Sequence, residues 1–365
     1  MATSVVSAPN DPDVDTRLPS LWTAATPQRV IALAIVFAAA LFLIPFVLSS
    51  FWLQVVFQAV AYSAVALGLS LLVGQAGLFS LCQIPLVAVG AWISLRIAAE
   101  VHMPFAVLLL VTGLLTGVVG AFIGIPALRL SGLYLALITL MAAGAITLLL
   151  RLYKFPNGGG GFWGFDKTVP SGAVSLARTS IARGETAFYR YAVVVVALLF
   201  LLVAWQTKGK SGRAWAAIRQ SQVTAVAAGV DTTLYKLWAF ALSAFVTGVA
   251  GMLLAAGPGG VSVNQFPVEQ SIVLLAVVLM GGVYNIWGAV VAAFLLRVLP
   301  QLLDQKLGVP VEVLTILFGI GVMQVLLTTP GGIVQDLGKL GRLPKALWNK
   351  VMHRSGRTAT NDGAA

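Results

Sequence analysis

Leu53-Gln54-Val55-Val56-Phe57-Gln58-Ala59-Val60-Ala61-Tyr62-Ser63-Ala64-Val65-Ala66-Leu67-Gly68-Leu69-Ser70-Leu71-Leu72-Val73 runs without a charge and ends at Gly74-Gln75-Ala76-Gly77. A bilayer core takes about 20 apolar residues per helical crossing. The run has that length and lacks the period-two alternation of a barrel strand. It reads as a membrane helix stopped by glycines. The rest of the chain repeats the pattern. Of 365 residues, 59% are hydrophobic and 10% charged, and the mean hydropathy is +0.95. Soluble domains carry about 25% charged residues. A soluble enzyme, a disordered chain and a disulfide scaffold are thereby excluded. The expected fold is all-α: a polytopic transmembrane helical bundle of about ten spans, with glycine-broken helices.

The ten candidate spans are 30–48, 53–73, 81–99, 104–125, 132–152, 188–206, 237–256, 271–282, 286–303 and 311–327. Pro85 is expected to kink the third. The eighth is short for a crossing. Only Val283-Tyr284-Asn285 separates it from the ninth, which leaves two helices with a tight turn or one broken re-entrant element. Residues 1–28, with Asp11, Asp13 and Asp15, lack the basic start and apolar core of a signal peptide and read as a cytoplasmic tail. Residues 29–328 form the membrane domain, and 329–365 a basic cytoplasmic tail. Loop 153–187 falls outside and loop 207–235 inside if both termini are cytoplasmic. That N-in, C-in arrangement places 14 of the 23 Lys and Arg residues inside, as the positive-inside rule favours.

The net charge of +11 lies beside and between apolar runs, which suits membrane topology and anionic lipid rather than nucleic acid. Cys82 is the only cysteine, and His102 and His353 are far apart, so the pattern offers neither a disulfide nor a metal-ligand cluster. No phosphate loop of the GxxxxGK[ST] type occurs. Gly158 to Gly161 lacks the Lys-Ser/Thr that such a loop needs. Ion-coupled carriers place ionisable groups deep in the membrane. Here Glu269, Asp304 and Glu312 lie near span ends, as do Arg96, Arg129 and Arg151, which can snorkel. Arg297 lies deeper and faces a cavity, pairs with Asp304 one to two turns away, or snorkels. The energy source is therefore expected on a partner.

Loop 207–235 holds short amphipathic pieces through Ala216, Ile218, Val223, Val226 and Ala227, with Gly229 as a helix stop. It is either a force-transmitting element or an inert interfacial connector. Glycine breaks likewise either line a transport cavity or allow close packing. The breaks at Gly74, Gln75, Gly77 and at Gly281, Gly282, with polar Gln83 and Thr139 nearby, are the candidate substrate path.

Four stretches in order carry a family resemblance. Gly74 to Leu81 resembles a GQxGLxSLG element. Leu128 to Leu140 resembles LRLxGxYxALxTL. Gly212-Arg213-Ala214 through Ala217-Ile218-Arg219 and Ala227-Ala228-Gly229-Val230 resembles a coupling region. Met280 to Ala289 resembles GGxGxxxGxxxGA. Together, over 53–327, they resemble branched-chain amino-acid ABC transporter permeases, and within them the LivM-type membrane subunit. The resemblance implies an importer in the inner membrane that works by alternating access. Its implied partners are a homologous second permease, two cytoplasmic ATPases and an extracytoplasmic solute-binding protein. ATP and Mg would sit on the ATPases, with no cofactor on this chain. Arg213, Ala217, Arg219, Gln222, Ala227 and Gly229 would couple to the ATPase, and Gln220 to Gly229 would hold the coupling helix. Asn157, Gly158 and Gly164 would gate the outside or meet the binding protein. Branched-chain amino acids are the first substrate implied. Urea and short amides, carried by related permeases, are the alternative within the class. An ion-coupled carrier or a channel is the alternative outside it.

Overall fold

The computed structural model describes residues 48–101, 103–128, 130, 132–152, 184–257 and 265–307, with isolated positions at 41, 45, 46, 176, 261, 319, 320 and 323. The expected first and tenth spans, both tails and nearly all of loop 153–187 lie outside these residues. Helices and short connections make up the described part. They are α1 Ser50–Ser70, continued by a π-helical turn Leu71–Ala76; α2 Gln83–Glu100; α3 Phe105–Ala127; α4 Gly132–Leu152; α5 Glu185–Lys208; α6 Lys210–Gln220; α7 Gln222–Ala227; α8 Thr232–Ala256; α9 Glu269–Gly281; and α10 Ile286–Ala293, continued by a π-helical turn Phe294–Val298 into α11 Leu299–Leu307. Six are long and apolar enough to cross a membrane, and Gln83–Ala99 and Glu269–Gly281 are shorter apolar helices. These eight match the second to ninth expected spans.

Helix α8 is the axis of the bundle. Inside a bilayer, lipid tails compete with apolar side chains for contact, so helices associate through small residues that let backbones approach. Ser243, Ala244, Thr247, Gly248, Ala250 and Gly251 of α8 are all buried. Gly90 of α2 sits on the Gly248 backbone, and Gly251 sits on the Val87 carbonyl. On α3, Gly113, Gly117, Gly120 and Gly124 recur at three- and four-residue spacing and face Phe245, Ala241, Ala244 and Phe240 of α8. The falling α8 numbers show that α3 and α8 run antiparallel. Helix α4 leaves Leu133, Tyr134, Met141 and Leu148 exposed, a face suited to lipid.

The third expected span differs in form, and the eighth and ninth take one of the two forms expected. Between Ala76 and Gln83 the chain is not helical, yet Leu78, Ser80 and Cys82 are buried. Gly77 turns it with φ +69, a conformation glycine adopts without steric penalty. The segment re-enters the bundle. Gln83 meets Ser243 and Thr247, well along α8 from its start at Thr232, so α2 begins partway across. Irregular backbone at membrane depth survives where protein encloses it. Pro85 lies in the first turn of α2 and does not kink it, because no intrahelical N–H bond is needed there. The eighth and ninth spans are two helices joined by a turn. Gly282 has φ +107, and the Asn285 side chain caps α10 by accepting the Trp287 N–H at 3.2 Å. A side chain at Gly281 would strike the Gly288 carbonyl, and one at Gly288 the Gly282 carbonyl.

Candidate functional site

Loop 207–235 is two helices with different surroundings. In α6, Gly212, Ala214, Trp215 and Ile218 are buried. The Trp215 indole N–H donates to the Tyr235 carbonyl at 2.8 Å, which fastens α6 to the start of α8. Gly212 lies on the Thr207 backbone, where a side chain would collide. Helix α7 starts at Ser221, whose hydroxyl accepts the Thr224 N–H at 3.3 Å. It stops at Gly229, φ +79, where the Val230 N–H closes on the Ala225 carbonyl at 3.0 Å. That matches a left-handed C-cap. Asp231 then starts α8 by accepting the Thr233 and Leu234 N–H groups at 3.0 and 3.1 Å. Only Ala225 of α7 is buried, while Val223 is 81% and Val226 59% exposed. Helix α7 thus presents a capped, outward apolar face. Gln222, Ala227 and Gly229 lie on that exposed element and Ala217 is half-buried on α6. Arg213 is exposed.

Arg219 connects this region to both glycine breaks. Its Nη1 donates to the Gly74 carbonyl at 2.6 Å. Its guanidinium lies over the Tyr284 ring, 4.3 Å from the centroid. Its stem covers Gly77, where an added Cβ would come within 3.0 Å of Arg219 Cγ. The two breaks also touch each other, because a side chain at Gly74 would strike the Val283 carbonyl. Gly74 accepts an outside donor because it lies in the last turn before the chain leaves the helix at Gly77, where carbonyls lack helical partners. Gly74, Gly77 and Gly282 are therefore one junction with Arg219 at its centre, at the end of the bundle where the α6–α7 pair lies.

Gln83 and Thr139 hold the re-entrant segment. Gln83 is 1% exposed and Thr139 fully buried. The Gln83 amide donates to the Ser243 hydroxyl at 2.8 Å, and its carbonyl accepts from the Thr247 hydroxyl at 2.7 Å. Ser243 in turn donates to the Gly68 carbonyl at 2.8 Å. The Thr139 hydroxyl accepts the Leu81 N–H at 3.0 Å. The network thus ties α1, α2, α4 and α8 across the break. A ranking follows from it. After Gln83→Leu, Ser243 keeps Gly68, and Thr247 turns to the Ser243 carbonyl, already 2.9 Å away. Interhelical hydrogen bonds in membranes average about 0.6 kcal/mol, so the loss is near that. Ser243→Ala leaves the buried Gln83 N–H unpaired, which costs about 1–3 kcal/mol. Thermal unfolding in detergent is expected to place Ser243→Ala below Gln83→Leu. The reverse order would remove the network's assigned role.

Two arginines depart from expectation. Arg96 does not snorkel from a span end but is 4% exposed, because α2 packs along α8 beyond its midpoint start. Arg297 does not pair with Asp304, which is exposed. Its guanidinium lies over the Tyr62 ring, 3.8 Å from the centroid. Seven residues along a helix is about 10.5 Å, beyond the reach of a direct i,i+3 or i,i+4 pair. Asn157, Gly158 and Gly164 lie outside the described residues. The sequence reading missed Val283, Tyr284, Ser243 and Thr247. Tyr284 follows two glycines, and Ser243 and Thr247 stand four apart on one helix face, the only local signals they give.

A family model described as branched-chain amino acid transport system / permease component matches residues 51–326. The chain is 28% identical over 304 residues to the high-affinity branched-chain amino acid transport system permease protein LivM of Salmonella typhimurium, covering 78% of this chain and 71% of that one. The same figures hold for the protein of that name in Escherichia coli. It is 26% identical over 242 residues to a probable branched-chain amino acid transport permease protein LivM of Methanocaldococcus jannaschii, covering 62% and 67%. No solved structure matches the chain.

Proposed function

Because the chain belongs to the branched-chain amino acid transport permease family, a family of multi-pass membrane subunits of ABC importers, we propose that it moves branched-chain amino acids by alternating access driven by two partner ATPases. The chain is a transport subunit, not an enzyme. ATP and Mg would bind on the ATPases. A homologous second permease would complete the pathway, and an extracytoplasmic binding protein would deliver the solute. Both termini would face the cytoplasm. The LivM relatives are named for branched-chain amino acids, which favours that substrate over urea and short amides.

One observation carries the reading: Arg219, on the helix next to α7, contacts both glycine breaks. A push on α7 would reach the breaks through α6 and Arg219. Neither an ion-coupled carrier nor a channel has a use for a capped, outward apolar helix wired to its helix breaks.

The test is affinity purification of the chain from its native membrane in mild detergent. P-loop ATPases and a second hydrophobic subunit are expected to co-purify. Recovery of the chain alone, under conditions that preserve other membrane complexes, points to a carrier or channel. Two variants test the docking element itself. Ala227 is exposed, so Ala227→Asp is tolerated by the fold but puts charge in the covered face. Gly229→Pro demands φ near −65° where the chain has +79. Both are expected to insert normally and to lose ATP-driven uptake. Coupled uptake at the parent rate by both would remove the coupling-helix assignment.

A further inference from the structure

We propose that Arg297 is a carboxylate-binding residue at mid-membrane, which takes the anionic end of the transported solute while Tyr62 holds its guanidinium in place. The inference rests on the functional reading above and adds a site to it.

Depth is the first ground. At 1.5 Å per residue, Arg297 lies about 17 Å from the Ile286 end of its helix, and Tyr62 about 18 Å from the Ser50 end of α1. The two helices pack together here: Val298 joins Val55 and Ala59 in one apolar cluster with Trp52 against it. A snorkelling arginine reaches an interface from near a helix end, and Arg297 is far from both. Charges at such depth are rare and mark substrate or ion pathways.

The second ground is what surrounds the charge. Arg297 is half-buried and Tyr62 is 2% exposed. The guanidinium lies against the ring, and its buried Nε–H meets no acceptor among the described residues. Stacking engages the face of the guanidinium and leaves its in-plane N–H groups available. Those groups form a fork that matches a carboxylate with two parallel hydrogen bonds. The ring thus fixes the orientation and attracts the cation without neutralising it. A solute carboxylate supplies the missing negative charge and accepts the unpartnered Nε–H.

The third ground is local backbone. Arg297 sits in the π-helical turn Phe294–Val298. Such turns within helices recur at functional sites.

The test uses the complete importer, with its ATPases and binding protein, reconstituted in proteoliposomes with radiolabelled leucine. If the unmodified complex takes up no leucine on addition of ATP, the functional reading fails and this site falls with it. If it does, the variants decide the site alone. Arg297→Gln and Arg297→Met are expected to lower uptake at least about tenfold, the equivalent of one lost charge-assisted contact. Arg297→Lys, a point charge without the fork, is expected to recover part of it. A structural role makes a separate demand: removing the arginine would lower the melting temperature of the complex. The carboxylate role predicts that Arg297→Met melts at or above the parent, since a half-buried charge with no anionic partner among the described residues has been removed. Leucine uptake by Arg297→Met within about twofold of the parent overturns the proposal. So does failure of all three variants to assemble, which would make the guanidinium a structural anchor.

Discussion

Replacing Arg219 by methionine is expected to lower the solute carried per ATP hydrolysed at least about tenfold. The reasoning is additive. A hydrogen bond from a charged donor contributes about 1.5–3 kcal/mol, and Arg219 makes one to the Gly74 carbonyl. A cation over an aromatic ring at an exposed site adds about 0.5–1 kcal/mol, and Arg219, itself exposed, lies over Tyr284. Methionine keeps an unbranched stem to cover Gly77 and loses both contacts. A loss of 1.4 kcal/mol is already tenfold in an equilibrium, so the link between α6 and the two breaks weakens by at least that factor. Arg219→Lys keeps the charge but lacks the planar fork that serves a carbonyl and a ring together, so it falls between. The measurement is uptake and phosphate release from the same proteoliposomes. Combined with Tyr284→Leu, Arg219→Met is expected to cost less than the two single effects added, because both delete one contact. A ratio for Arg219→Met within twofold of the parent would leave the junction without a mechanical role.

How much of this was legible in the sequence depended on the range of the interaction involved. Apolar runs gave the helices, because crossing a bilayer is a constraint on every residue of the run. Gly74-Gln75-Ala76-Gly77 announced a break, and Gly229 a helix stop, because glycine's backbone freedom is local. The direction of the chain after the break was not local. A span from Leu81 and an 18-residue helix that starts partway across at Gln83 share one hydropathy pattern. What separates them is Gln83 meeting Ser243 and Thr247, some 160 residues away in sequence. Arg219 was singled out with the coupling stretch, but its targets Gly74 and Tyr284 were invisible for the same reason. Arg297 misled more directly. A seven-residue spacing to Asp304 suggests one helix face only while the helix stays α. A spacing of seven also exceeds the reach of a direct pair, and Tyr62, the ring Arg297 lies over, is distant in sequence.

Gly248→Leu on α8 is expected to destabilise the protein strongly, and Gly144→Leu on α4 hardly at all. Hydropathy scales make the two equivalent, because each adds a leucine to a membrane helix. Their surroundings differ. A Cβ at Gly248 would strike the Thr116 side chain of α3, while Gly90 of α2 already rests on the Gly248 backbone. The position is closed from two helices. Thr116 cannot swing away at no cost, since it is buried and its hydroxyl donates to the Thr112 carbonyl at 2.8 Å. Overpacking one tight contact costs about 1–3 kcal/mol. Here two helix pairs must part at once, so the loss is expected at the upper end of that range or beyond it. At Gly144 a Cβ meets nothing within 4 Å, and leucine there also raises helix propensity relative to glycine. The comparison is made by thermal melting of each variant in the same detergent, with surface expression as a second readout. Equal melting temperatures for Gly248→Leu and Gly144→Leu would mean that α2 and α3 do not close on α8 through Gly248. Nor would the small-residue seam then set the spacing that brings Gln83 to Ser243.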